Sequence, residues 1–387
     1  MRARCFAVAA AGTVLVFLWL ALTVRYNYGG NWTGLFCTGA NQRVPASLLA
    51  EQIHTFPANW GYDRQFYHYI AHDPLGRTQL PSYIDAPQLR YRRILVPALA
   101  YLIAVGQARF IDAAYYTVVL GFVFLGCYWT SCFAVLHRRN PLWGLLFLAV
   151  PSVLISIDRM TVDVALAALC VGVAVFAAEG RNRLLLLLLI AAPLVRETGP
   201  VLTAAYCLWA LLRGERRRAI YGALTILPFA VWCLYVQLHF VTQDFSPLLS
   251  PPLRDLAGVI LHPYAYPWGP VKNAVVVSAD LLALAGSLGA IGLAFRFGIK
   301  RSGTLLECML LVEAVVGLGL ALFGSRDVWV QAYGHARVLS ALFVLLALRS
   351  LERRTWSDLA PMLLVVPRIG MQFFPQVAVV VRGLVSL

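Results

Sequence analysis

The stretch Asn59-Trp-Gly-Tyr-Asp-Arg-Gln-Phe-Tyr-His-Tyr-Ile-Ala-His-Asp-Pro74 gathers acids, histidines and aromatic rings within a mostly apolar chain. Read as a helix from Tyr62 to Ala71, it places Tyr62, Phe66, Tyr69 and Ile70 at i, i+4, i+7 and i+8. That single apolar stripe is the pattern of a segment lying in a membrane interface. Asp63 falls off the stripe in the first turn, where the helix dipole favours the ionised carboxylate. A carboxylate held at the boundary between lipid and water can act as a general base or as a metal ligand. Downstream, Ile84-Asp-Ala-Pro-Gln-Leu-Arg-Tyr-Arg-Arg-Ile94 brings Arg90, Arg92 and Arg93 to the head of a short apolar segment. Guanidinium groups at that depth bind phosphate through paired, charge-assisted hydrogen bonds. The alternative for each of them is anchoring to lipid headgroups.

The elements that must position these groups follow from composition. Of 387 residues, 60% are hydrophobic and 13% charged, and the mean hydropathy is +0.73. A soluble domain has roughly 45–50% apolar and 25% charged residues, so a water-soluble enzyme is excluded. The expected class is an all-α polytopic membrane protein of about ten transmembrane helices, with interfacial juxtamembrane helices in the first outer loop, each span needing about 20 residues. The apolar runs are Cys5 to Val24, Ala113 to Leu136, Leu142 to Ile157, Val162 to Ala178, Leu184 to Val195, Thr198 to Leu212, Ala219 to Phe240, Asn273 to Phe295, Gly303 to Phe323 and His335 to Leu348. The chain reads as one integral-membrane domain, 1–387, with long extracytoplasmic loops at 25–112 and 241–272. The run after Met1-Arg-Ala-Arg4 is taken as a retained first helix, since no small-residue cleavage site precedes Arg25. Of eight cysteines only Cys37 sits clearly in a loop, and no disulfide framework emerges.

Topology turns on Ile94 to Gly106, whose apolar stretch is too short for a span and reads as interfacial or re-entrant. If it does not cross, Arg2, Arg4, Arg138, Arg139, Arg181, Arg183, Arg213, Arg216, Arg217, Arg218, Arg296, Lys300, Arg301, Arg349, Arg353 and Arg354 fall on one side. The opposite short joints hold only Arg159, Arg196, Arg326 and Arg337. The positive-inside rule then makes the first set, and the N-terminus, cytoplasmic and turns both long loops outward. The net charge of +14 is thus read as orientation, not nucleic-acid binding. Most of the acids, Asp63, Asp73, Asp85, Asp158, Asp163 and Glu197 among them, collect on the outer side, as expected of chemistry there.

The long outer loop with its Tyr62-Asp63 motif, the Tyr-Arg-Arg-Ile-Leu-Val-Pro segment from Tyr91, and Arg-Glu-Thr-Gly from Arg196 at the outer end of a later span together resemble the GT-C superfamily of integral-membrane glycosyltransferases. The likeness is nearest to the bacterial and mannosyltransferase-like branches. It covers the overall topology, while the matching motifs occupy about four short stretches. It implies transfer of a sugar, with inversion, from a polyprenyl-phosphate donor in a bacterial plasma membrane to an extracytoplasmic glycan, lipid or protein acceptor. By position Asp63 matches the family's loop acid and would be the catalytic base. Arg90, Arg93, Arg196 and Arg337 are candidates for the donor phosphate, and Asp73, Asp85, Asp163, Glu197 and His335 for acceptor contact or support. Paired acids in that loop would imply a divalent cation, Mg2+ or Mn2+. This chain reads Tyr-Asp-Arg there, leaving Asp73 or Asp85 to supply a second carboxylate.

Other features carry weaker expectations. His68 and His72, one helical turn apart, could bind a metal with Asp73, although interfacial polar residues explain them better. Asp163 equally suits helix capping. Glu313, in the middle of an apolar run, is either functional or a protonated core group. Asn31-Trp-Thr33 is a chance sequon, and Tyr264-Ala-Tyr-Pro-Trp268 an interfacial anchor or a sugar-stacking platform. Leu184 to Leu212 is either two spans or a tight hairpin. The competing reading is a transporter or flippase of a lipid-linked or anionic solute, with the outer arginines as gate and Glu313 as coupling site. No half-to-half repeat supports it.

Overall fold

The computed structural model describes residues 2–240, 250–299 and 303–386. Asp244 of the second loop, together with Lys300 and Arg301, lies outside them. The described chain is helical, apart from two-residue parallel strands at Thr38–Gly39 and Thr55–Phe56.

Six helices are long and apolar enough to cross a membrane: Arg2–Asn27, Ala108–Leu136, Arg216–His239, Pro270–Ile299, Leu305–Phe323 and Trp356–Val385. Two further pairs are bent, Pro141–Ala149 with Pro151–Arg159 by 66° and Ala332–Val338 with Ser340–Arg353 by 64°, giving up to eight spans. The expected ten is not reached by this measure, because three of the expected runs form only the short helices Asp163–Ala178, Asn182–Val195 and Pro200–Leu212. Pro151 breaks the run expected from Leu142 to Ile157, and a second break at Leu339 interrupts the one from His335. Ser152 and Ser340 hydrogen-bond to each other beside these breaks, so the two bent pairs are tied together where they bend.

Asp163–Ala178, Asn182–Val195 and Pro200–Leu212 are shorter, with 16, 14 and 13 residues. At 1.5 Å per residue the last two reach only about 20 Å, against roughly 30 Å of hydrocarbon. The turn that joins them is tight, since a side chain at Gly199 would collide with the Ala192 carbonyl. Trp356–Val385 was not anticipated. Pro361, Pro367 and Pro375, with Arg368 and Arg382, cut its apolar run into short pieces.

Fourteen of the 16 residues of Asp163–Ala178 are buried, as a helix apolar all round requires. The outer helices instead leave large apolar side chains uncovered, including Val14, Leu15 and Leu18, then Val231, Leu234 and Leu238, then Val271, Val275 and Leu282. Belts of that kind are expected to face lipid.

Leu95–Ile103 has nine residues, about 13.5 Å of helix, less than half a bilayer core. Its far end exposes Leu102, Ile103 and Val105. The Asp63–His72 helix forms where expected but does not lie on an interface with one face wet: Arg64 through Ala71 are all buried. The reason is that its polar face is hydrogen-bonded to protein. Arg64 donates to the Asp158 carbonyl at 2.6 Å, Gln65 bonds the Gly39 amide and the Trp60 carbonyl, and His68 meets Asp112.

Candidate functional site

Asp63 is placed by a turn that needs glycine. Gly61 has φ +78°, and the Gln65 side chain packs against its Cα, where a Cβ would collide. The Asp63 carboxylate is shared by two arginines from distant parts of the chain, Arg90 Nη2 at 3.1 Å and Arg337 Nη1 at 2.9 Å. Arg90 is also gripped by both oxygens of Asp85, at 2.9 and 2.7 Å. Arg337 donates through Nε to Asp163 at 2.8 Å and through Nη1 to the Tyr62 hydroxyl at 3.0 Å. Asp163 is bonded in turn by Arg196, whose Nε lies 3.7 Å from Glu197. Glu197 closes the chain on Arg93 with a two-point pair at 2.8 and 2.6 Å, while Arg93 Nη1 donates to Tyr67 at 2.6 Å.

Four guanidiniums and four carboxylates thus alternate in one neutral network drawn from five stretches of the chain. The layering is unequal. The side chains of Arg90, Arg93, Arg196 and Arg337 are 7–10% exposed, whereas Asp63, Asp85 and Glu197 are 25%, 37% and 36% exposed. Asp63, Asp85 and Glu197 rim the site, and the four arginines floor it together with Asp163, which is 2% exposed. An entering anion must therefore exchange with carboxylates to reach the arginines. Arg337 Nη2 is buried without a hydrogen-bond partner among the described residues, so the floor already has a donor to spare.

Burial would raise the Asp63 carboxyl, but Arg90, then Arg337 and Arg93, outweigh it and hold the group well below the usual carboxylate range. Glu197 follows the same logic: burial raises it, and Arg93 followed by Arg196 bring it down to about 2. Burial lowers Arg90, yet Asp63 and Asp85 more than reverse that and keep it cationic. A carboxylate so acidic is a weak base. Asp63 gains basicity only when its arginines are drawn elsewhere.

Of the residues expected at the site, the network unites Asp63, Arg90, Arg93, Arg196 and Arg337 with Asp85, Asp163 and Glu197. It does not include Asp73 or His335. Asp73 accepts from the Arg77 and Thr78 amides at 2.9 and 2.7 Å and from the Thr78 hydroxyl, which makes it the brace of the following turn. His335 is a core residue bonded to Ser287 at 2.8 Å and stacked near Trp329. Nor does Asp73 join the histidines: the acid beside His68 is Asp112, at 2.6 Å, and His72 Nε2 lies 3.2 Å from His68 Nε2. Burial, then the charge of His68, keeps the His72 imidazole down at about 3.

The donor set around Asp63 does not fit a divalent cation. Both Asp63 oxygens are on arginines, Asp85 is clasped by Arg90, and Asp73 is committed to its turn.

Gln376 and Arg368 escaped the sequence, and the partners of Asp158 and Arg159 were not legible in it. Arg159 lies over both Tyr62 and Tyr333, at 4.5 and 4.7 Å from the ring centroids, and pairs with Asp158. Asp158 accepts from Gln376 of the unanticipated C-terminal span at 2.7 Å. Arg368 of the same span pairs with Asp280 at 2.8 Å and donates to Tyr266, so the Tyr264–Trp268 strap is bonded to the bundle. Their only signal was their type, since a charge in an apolar run needs a partner. Asn31 is engaged in capping, its carbonyl oxygen accepting from the Thr33 amide.

Fold and site together define a helical membrane-type protein with a charge-lined site at one end of its bundle. No family model, curated protein or solved structure matches the chain.

Proposed function

We propose that the chain is a membrane glycosyltransferase of the GT-C type, transferring a hexosyl or pentosyl unit with inversion from a polyprenyl-phosphate donor to an extracytoplasmic acceptor. The observation that carries this reading is the single, half-open carboxylate of Asp63 bridging Arg90 and Arg337 above a floor of buried guanidiniums. The donor is a phosphodiester with one negative charge. On binding, it takes Arg90, Arg337 and the unpartnered Nη2 of Arg337, and Asp63 is released. Free of its cations, the carboxylate becomes basic enough to accept a proton.

The acceptor oxygen then bonds to the anomeric carbon as the bond from that carbon to the phosphate oxygen breaks. The acceptor proton goes to Asp63, and the bonding pair leaves with the polyprenyl phosphate. The second negative charge that develops there falls on preorganised guanidiniums, where such stabilisation counts most. Arg93 and Arg196, held by Glu197 and Asp163, complete the floor. In this reading the arginine-rich joints are cytoplasmic, the site opens outward, and the host membrane is a bacterial inner membrane.

A second reading is favoured by one feature. One bent helix pair carries Arg337 and the other ends at Arg159, which lies over Tyr62, and transporters place discontinuous helices around anionic substrates. Reconstituted protein separates the two. The enzyme turns over labelled polyprenyl-phosphate sugars by transfer or slow hydrolysis. A transporter or flippase moves the lipid-linked or anionic solute across the vesicle without cleaving it.

A further inference from the structure

On the opposite side of the helix that carries Asp63, two imidazoles and a carboxylate converge. His68 and His72 stand at i and i+4, so their rings project from one face. Their Nε2 atoms are 3.2 Å apart, and Asp112 Oδ1, from the start of Ala108–Leu136, lies 2.6 Å from His68 Nε2. All three ligand atoms lie within 4.8 Å of one another. We propose that His68, His72 and Asp112 bind a divalent first-row transition metal of the zinc class, pinning the Asp63–His72 helix to Ala108–Leu136.

The geometry suits such an ion. Tetrahedral bonds of about 2.0–2.1 Å set donor atoms roughly 3.3 Å apart, so the two nitrogens are already spaced for one centre. The carboxylate, now 2.6 Å from His68 Nε2, would move outward from His68 to share that centre. Two ring nitrogens facing each other over one carboxylate make a poor hydrogen-bond set, because a single N–H cannot serve both neighbours well. A cation accepts all three lone pairs at once.

The rings are also held for it. Phe36 stacks on His68 at 3.9 Å with 7° between the planes, which fixes the ring although His68 Nδ1 has no hydrogen-bond partner among the described residues. Imidazole selects zinc-like ions over Mg2+ and Ca2+, which prefer all-oxygen shells. Asp112 is 28% exposed and borders a cavity of about 440 Å³ shared with Trp32, Arg109 and Tyr116, so the ion would be reached from the Asp112 side.

By helix rise the ligands lie roughly 7.5 and 13.5 Å along the axis from Asp63. The metal is thus a brace for the base-bearing helix and takes no part in the arginine network. This inference does not depend on the glycosyltransferase reading.

The test uses the full chain, purified in detergent and stripped with chelator. Calorimetric titration with Zn2+ should find one equivalent bound more tightly than micromolar. Co2+ in its place should give visible d–d bands of a nitrogen–oxygen site without thiolate charge-transfer bands, which excludes the eight free cysteines as ligands. His72→Gln and Asp112→Asn should each weaken binding by about a hundredfold, and Zn2+ should raise the melting temperature of the parent chain alone. Folded parent protein that binds no Zn2+ tighter than micromolar, variants that bind as the parent does, or thiolate-type Co2+ bands would each overturn the site. The Co2+ spectrum needs no variant, so a misfolded substitution leaves the test standing.

Discussion

The two ends of the bundle use arginine in opposite ways. At one end Arg90, Arg93, Arg196 and Arg337 are buried and matched by an equal number of carboxylates. At the other, Arg2, Arg181 and Arg213 are 68%, 41% and 53% exposed and touch their acids near the surface, while Arg353, 46% exposed, reaches the buried Glu307. Arg349, tied to Asp358, is the exception there. Several of the basic joints are neighbours in the fold. Arg2 reaches Glu179, Arg139 bonds the Leu351 carbonyl, and Trp209 bonds the Gly303 carbonyl. The lesson is that a residue type has no fixed meaning. An exposed arginine costs little and reports orientation, whereas a buried one is retained at high desolvation cost and implies an anion to hold.

The sharpest way to break this comparison is Asp63→Asn, which keeps the shape and one of the two accepting oxygens but loses the charge and cannot accept a proton. Transfer should fall about 10³-fold with membrane insertion intact, measured as turnover of labelled donor per folded protein. Next, Arg337→Gln strips a buried cation from Asp63 and Asp163 at once. Breaking such a pair costs about 3–5 kcal/mol, so the melting temperature should drop sharply and the donor KM should rise.

A smaller effect separates the ends by pH. The pKa of Glu197 is depressed from 4.5 to about 2, so its stabilising contribution is complete above about pH 4.5 and is lost as the pH falls toward about 2. The stability difference between the parent and Glu197→Gln should therefore shrink across that window, as melting curves at stepped pH would reveal. Smallest of all is Arg213→Gln at the other end, whose exposed pair with Glu215 is worth about 0–1 kcal/mol, so neither melting nor transfer should change appreciably. A large loss there would erase the contrast between the ends.

Much of the site was legible because charge in an apolar chain is expensive. Asp63, Arg90, Arg93, Arg196 and Arg337 stand out against their surroundings, and the alternation of basic joints sorts them to one side. Who pairs with whom was not legible. Asp73 is nearer His72 in sequence, yet Asp112 meets His68, because Ala108–Leu136 begins beside that turn. The helix from Asp63 was expected half wet because its polar face has the right period. The face is dry because Arg64, Gln65 and His68 each found a partner far along the chain, which periodicity does not record. Trp356–Val385 escaped for a related reason. Its prolines and Arg368 lower local hydropathy, and only the packed fold provides Asp280 to receive that charge.

The most direct measurement of the central claim reconstitutes the chain in vesicles with a panel of labelled polyprenyl-phosphate sugars and scores cleavage of the sugar–phosphate bond. Cleavage by the parent chain, lost in Asp63→Asn and weakened in donor affinity by Arg337→Gln, is the predicted result. Full cleavage by Asp63→Asn, or passage of intact lipid-linked or anionic solute across the vesicle with no cleavage at all, would contradict it.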